Sequence, residues 1–188
     1  MGGEAEPIAT STADAALVTG VAETATAIPG PIATLPGPTE ALAETLGNLA
    51  YQGILDEPVV LAGGHFEGEP FVAGGASRPT VQLLPGPVAL GNLNGDGQPD
   101  AAVLLASNSG GSGTYLYLAT VELRDGVWTN NATTPLGDRL QPQGLAIENG
   151  RIALALLSHN ENDPACCPSV VVERRFRLNG GQLVEAED

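Results

Sequence analysis

The sequence predicts an all-β domain with minor helix, an antiparallel β-sandwich or open barrel, preceded by an extended N-terminal arm. Three observations predict it. Short apolar runs of strand length recur from residue 46 onward. Turn-forming groups such as Asp125-Gly126, Asn149-Gly150 and Asn179-Gly180-Gly181 separate them. The 25 Gly and 15 Pro fit the punctuation of many short strands. Residues 1–45 read as an acidic Ala/Thr/Pro-rich arm or linker, and residues 46–188 as a β-rich globular domain.

The arm is low in complexity and contains no aromatic residue. Ile28-Pro29-Gly30-Pro31-Ile32 and Leu35-Pro36-Gly37-Pro38 form a short repeat in which proline fixes φ and removes donors. One expectation is a stalk between a cell anchor and the folded domain. The other is that residues 8–28, with Leu17, Val18 and Val21, add as a strand to a neighbouring copy of the chain. Residues 39–46 read as a short helix capped by Thr39 and stopped by Gly47. Strands follow at 59–62, 80–84, 101–105 and 114–123, the last turning at Asp125-Gly126 into Val127-Trp128-Thr129. Residues 145–147 and 152–157 flank Asn149-Gly150, the strongest hairpin signal in the chain. Residues 170–178 alternate around Arg174, Arg175 and Arg177 and turn into Leu183-Val184.

Charge excludes several functions. The chain has 22 acidic residues and 7 basic ones, a formal charge of −15, and every basic residue is Arg. Without Lys there is no Walker loop, Schiff-base or kinase-type catalytic amine. Nucleic acid and anionic membrane both need a basic footprint, so neither is an expected partner. Residues 1–77 hold ten acids and no base, whereas residues 78–188 hold twelve acids and all seven Arg. No apolar run reaches the roughly 18 residues of a membrane helix, so membrane insertion is not expected. The start Met1-Gly2-Gly3-Glu4 lacks an export signal, as in a mature chain from which one has been removed.

Residues 92–100, Asn-Leu-Asn-Gly-Asp-Gly-Gln-Pro-Asp, carry the clearest chemistry. Oxygen-bearing side chains recur at Asn92, Asn94, Asp96 and Asp100, and Gln98 stands where a backbone carbonyl usually serves. Gly95 and Gly97 let the chain coil so that those oxygens converge, the arrangement hard Ca²⁺ requires. An EF-hand would place Glu at the twelfth position, which is Val103, and the loop runs directly into an apolar strand. The expectation is a calcium loop in a β context, with a dissociation constant on the order of 10⁻⁴–10⁻³ M. The plain alternative is an ion-free turn, since Asn, Asp and Gly are common turn formers.

Cys166 and Cys167 are the only cysteines. A vicinal disulfide and a pair of buried free thiols stand as equal readings, with an intermolecular bond as the minor one. His159, Asp163 and the cysteines match no standard zinc spacing, and a polar loop closed by a disulfide ring is preferred to a soft-metal site. The Gly-rich stretch 108–114 reads as a hairpin loop rather than an anion cradle, for it lacks the Lys and helix of a phosphate loop. Ser112 stands in no nucleophile elbow, and Asn131-Ala132-Thr133 is a chance-level glycosylation sequon.

Taken together, GNLNGDGQPDAAVLLASNSGGSGTYLYLATVEL, LGDR and HNENDPACCPS resemble an uncharacterised group of exported bacterial proteins. Their pattern is GDLDGDGxxDA, GGSGTFxYLA and DPMCCP in order, and the last part is similar to LppP/LprE-type lipoproteins. The resemblance spans about residues 46–185 and implies export. The chain departs from it at Asn92, where the pattern has Asp, which weakens the calcium cage, and it has no lipobox cysteine.

The expected function is that of an exported, extracellular or cell-surface, non-enzymatic structural or adhesive protein with one structural Ca²⁺. It could serve as a filament subunit joined to copies of itself through residues 8–28. The alternative is a glycan- or peptide-binding module using Tyr115, Tyr117 and Trp128 as a stacking surface, against which core packing is the plainer expectation. A hydrolase with paired carboxylates ranks third.

Overall fold

The computed structural model describes residues 2, 40–164 and 166–186. The expected strand addition by residues 8–28, the cap at Thr39 and most of the arm lie outside the described residues. Among the described residues the fold is all-β with one short helix and three antiparallel sheets. Helix α1 (Glu40–Leu46) begins it. It falls almost wholly within the stretch read as arm, yet Leu46 is fully buried and Leu42 packs on the core. Strands β1 (Ala50–Tyr51) and β2 (Val59–Val60) pair as a small ribbon beside it.

The central sheet has six strands. These are β3 (His65–Glu67), β4 (Thr80–Leu83), β5 (Ala89–Gly91), β6 (Asp100–Asn108), β7 (Tyr115–Arg124) and β8 (Val127–Asp138). Their order is β3-β4-β6-β7-β8. Strand β5 continues where β4 leaves off: β4 pairs with residues 105–108 of β6 and β5 with residues 100–102. Pro85-Gly86-Pro87 separates the two, because proline cannot supply ladder donors. A second sheet is a meander of β9 (Gln141–Glu148), β10 (Arg151–Ser158), β11 (Val170–Asn179) and β12 (Gln182–Glu185). Its first hairpin turns through Asn149 and Gly150 at φ 51° and 72°, the positive pair a two-residue turn demands.

Strand β6 is apolar without alternation because both its faces are covered. Ala101, Val103 and Leu105 join Leu46, Tyr51, Val59, Leu61 and Val81 in one cluster. Ala102 and Leu104 join Leu118, Leu145, Ile152, Leu154, Leu156 and Phe176 in the other, between the two sheets. The order of layers is thus helix and ribbon, central sheet, second sheet. Strand β8 is far longer than the three residues its sequence suggests. Two register shifts along the β7–β8 pair, at Leu116/Tyr117 and Thr120/Val121, hide its periodicity. Pro135 lies within β8 and Pro142 within β9, and both strands are at the edge of their sheets.

Candidate metal centre

Loop 92–100 connects β5 to β6, so its last residue is also the first of the most buried strand. Gly95 and Gly97 have φ of 81° and 83°, a region costly for any residue with a Cβ. Their conformation winds the loop so that each polar side chain turns back on the main chain. Asn92 Oδ1 accepts from Gly95 N at 2.6 Å, Asn94 Oδ1 from Asp96 N at 2.9 Å, and Asp96 Oδ1 from Gln98 N at 2.7 Å. Asn94 Nδ2 donates to Asp96 Oδ2 at 3.1 Å. Gln98 enters this network as a donor, through its backbone N–H.

Asp100 differs from the others in being fully buried. Its Oδ2 accepts from Leu93 N at 2.7 Å, which closes the loop onto the strand. Its Oδ1 is buried with no hydrogen-bond partner. A buried carboxylate oxygen without a partner is costly, and a bound cation is a physical remedy.

Directly across the β6–β7 ladder from Asp100 stands Glu122, also buried. Like charges opposite one another destabilise a sheet. Glu122 is partly answered by Arg124, whose Nη2 lies 2.5 Å from Oε2, and by Asn131 Nδ2, which donates to Oε1. Asp100 has no such cationic neighbour among the ion pairs of the described residues. Glu122 was not singled out from sequence. Its signal was an acid on the inward phase of an apolar strand, legible only once the register with Asp100 is known.

The second sheet touches the same corner. A Cβ on Gly91 would lie 2.4 Å from Ile147 Cγ2, so only glycine lets β5 approach β9 this closely. Across the next turn, a Cβ on Gly150 would lie 3.8 Å from the Asn92 carbonyl. The start of the loop thus lies beside the β9–β10 turn, while residues 94–99 are exposed.

The donor set fits a hard cation in kind: carboxylates of Asp96 and Asp100, amide oxygens of Asn92 and Asn94, and no sulfur or imidazole. Among the described residues no three His, Cys, Asp or Glu cluster as a metal site, which matches a loop holding only two carboxylates. The soft-metal reading of His159, Asp163 and the cysteines gains no cluster either.

The remaining candidates resolve as follows. Cys166 and Cys167 are joined in a vicinal disulfide, and both are exposed, so the reading of buried free thiols is corrected. Residues 108–114 form the β6–β7 hairpin loop. Asn108 Nδ2 donates to the carbonyls of Gly111 and Gly113, and Asn108 Oδ1 accepts from Gly110 N. Tyr117 and Trp128 pack against the first core cluster, which leaves Tyr115, 45% exposed, without them as a stacking surface. A groove of about 730 Å³ lies over the outer face of the second sheet, lined by Arg151, Arg175 and Arg177 with Glu173 and Glu185. Its charges are mixed, and Glu185 is held bidentately by Arg174 at 2.7 Å for each bond.

No family model, curated protein or solved structure matches the chain.

Proposed function

We propose that the chain is an exported, non-enzymatic structural or adhesive surface domain whose loop 92–100 binds one Ca²⁺. The observation that carries the proposal is the fully buried Asp100 carboxylate, with one oxygen closing the loop and the other unpartnered. The ion would be held by Asn92, Asn94, Asp96 and Asp100 with the carbonyl at Gln98, and its charge would offset that of Asp100. The extracellular setting follows from the resemblance to exported bacterial proteins and from the weak affinity such a cage provides, which only calcium-rich surroundings fill. Filament assembly through residues 8–28 remains part of this proposal. Size-exclusion chromatography of the full chain and of a chain lacking residues 1–39 tests it: assembly lost on truncation supports it, and a full chain that elutes as a monomer, or assembly kept after truncation, overturns it.

Calcium binding is tested by titration calorimetry and thermal melting. At 10 mM Ca²⁺ and a dissociation constant on the order of 10⁻⁴–10⁻³ M, linkage adds about 1.4–2.7 kcal/mol, a rise in Tm of several degrees. No heat and no shift at that concentration would overturn the proposal.

A further inference from the structure

Loop 159–169, between β10 and β11, presents the two cysteines to solvent. The disulfide is not what holds this loop together. Asp163 Oδ2 accepts from Asn160 N and from Ser169 N, each at 2.9 Å, and Ser169 Oγ donates to the same carboxylate at 2.9 Å. Asn160 lies just beyond the end of β10, and Ser169 immediately precedes β11. One carboxylate therefore ties both legs of the loop. Asp163 N donates to the Asn160 carbonyl at 3.1 Å, and Cys167 N to the Pro164 carbonyl at 2.9 Å, which turns the chain inside the clamp. The Asn160 amide and the Ser169 donors hold the Asp163 carboxyl below its usual range, so the clamp is charged at neutral pH.

Two consequences follow for the sulfurs. Breaking the S–S bond removes none of these hydrogen bonds, so the loop keeps its course when reduced. Adjacent Cα atoms stay 3.8 Å apart whatever the bond does, and the clamp on both legs of the loop keeps the chain in the course that lets the two thiols meet. Exposed disulfides belong to the class that exchanges with thiols, whereas buried structural ones resist reduction.

We propose that Cys166–Cys167 is a reversible thiol-exchange site whose substrates are low-molecular-weight thiols. A thiolate RS⁻ attacks one cysteine sulfur, forming a mixed disulfide and releasing the other cysteine as thiolate. A second thiolate attacks the outer sulfur of that mixed disulfide, releasing RSSR and the second cysteine thiolate. The two protons lost by RSH end on the two cysteines. Two electrons enter the protein, and the reverse sequence with RSSR closes the ring again. The site lies in the β10–β11 connection and is independent of calcium at loop 92–100.

The test uses the full chain in native buffer, equilibrated with mixtures of reduced and oxidised glutathione, acid-quenched, alkylated and weighed. Ring and dithiol forms are expected to interconvert reversibly with the mixture, with the protein's association state and far-UV circular dichroism unchanged. Asp163→Ala is expected to close its ring at least about tenfold more slowly, the factor one charge-assisted hydrogen bond is worth. Ser169→Ala, the milder variant, is expected to fall between, and it carries the test if Asp163→Ala fails to fold. A pair that stays oxidised in excess reduced glutathione until denaturant is added overturns the proposal. So does reduction that unfolds the sheets, or reoxidation that yields cross-linked dimers in place of the ring. Ring closure at the wild-type rate in the folded variants overturns the role of the clamp.

Discussion

Tyr51 is fully buried, and its hydroxyl donates to the Leu46 carbonyl at 2.9 Å. That carbonyl ends α1 and has no helical partner of its own. Burial pushes the Tyr51 phenol well above the usual range, so it remains a donor at any ordinary pH. Tyr51→Phe is expected to lower stability by about 1 kcal/mol in urea unfolding with the slope unchanged. Asp100 offers a sharper test. Asn in its place keeps an oxygen for Leu93 N and removes a buried charge. In calcium-free buffer Asp100→Asn is expected to be at least as stable as the native chain, and in 10 mM Ca²⁺ less stable. Paired melts in the two buffers check that crossing of order. At this scale the sequence exposed the loop well, since Asn92, Asn94, Asp96 and Asp100 declare themselves by alternate spacing. It could not reveal that Asp96 is exposed while Asp100 is buried, nor that Glu122 faces Asp100, because both depend on strand register.

Among the elements, β5 is the one through which the two sheets meet beside the candidate site. Gly91 permits that approach, and a methyl group there would collide with Ile147 Cγ2 and Cβ at 2.4 and 2.8 Å. Gly91→Ala is expected to cost about 1–3 kcal/mol by chemical denaturation, and Ile147→Ala in the same chain to recover part of it. The long hairpins were legible because tight turns and unbroken apolar runs mark them. Strand β8 was not. Its sequence places Asn130 and Asn131 among strand residues, and only the structure shows why. Asn130 is buried, accepts from Gln52 N at 3.0 Å and donates to the Thr120 carbonyl at 3.0 Å, filling the irregularity where the ladder shifts. A bulge breaks the alternation on which strand reading depends.

For the molecule as a whole, acid should act first on the second sheet. Arg174 holds the Glu185 carboxyl below its usual range by hydrogen bonds and charge, while its Nη1 donates to the Leu136 carbonyl of β8 at 2.9 Å. Asp163 is depressed as well, chiefly by its bond from Asn160. A carboxyl whose pKa is lowered in the folded state adds stability above its unfolded pKa. That stability is lost as pH falls through the folded value. Both groups lie on the second sheet or its loops, so amide exchange in β11 and β12 is expected to quicken more than in β6 and β7 below about pH 4. Arg174→Met removes the pairing and should flatten that difference. Uniform quickening of both sheets would count against it.

The prolines of β8 and β9 bear on how the protein behaves when concentrated. Each removes a donor from the edge of its sheet. The other edge strands among the described residues, β1, β2, β3, β5 and β12, are two, two, three, three and four residues long. A flat row of donors and acceptors long enough to seed cross-β stacking needs about six residues. The register shifts at Asn130–Ala132 in β8 and at Pro142–Gly144 in β9 cut the remaining rows below that length, so the described domain by itself offers amyloid growth no ready template.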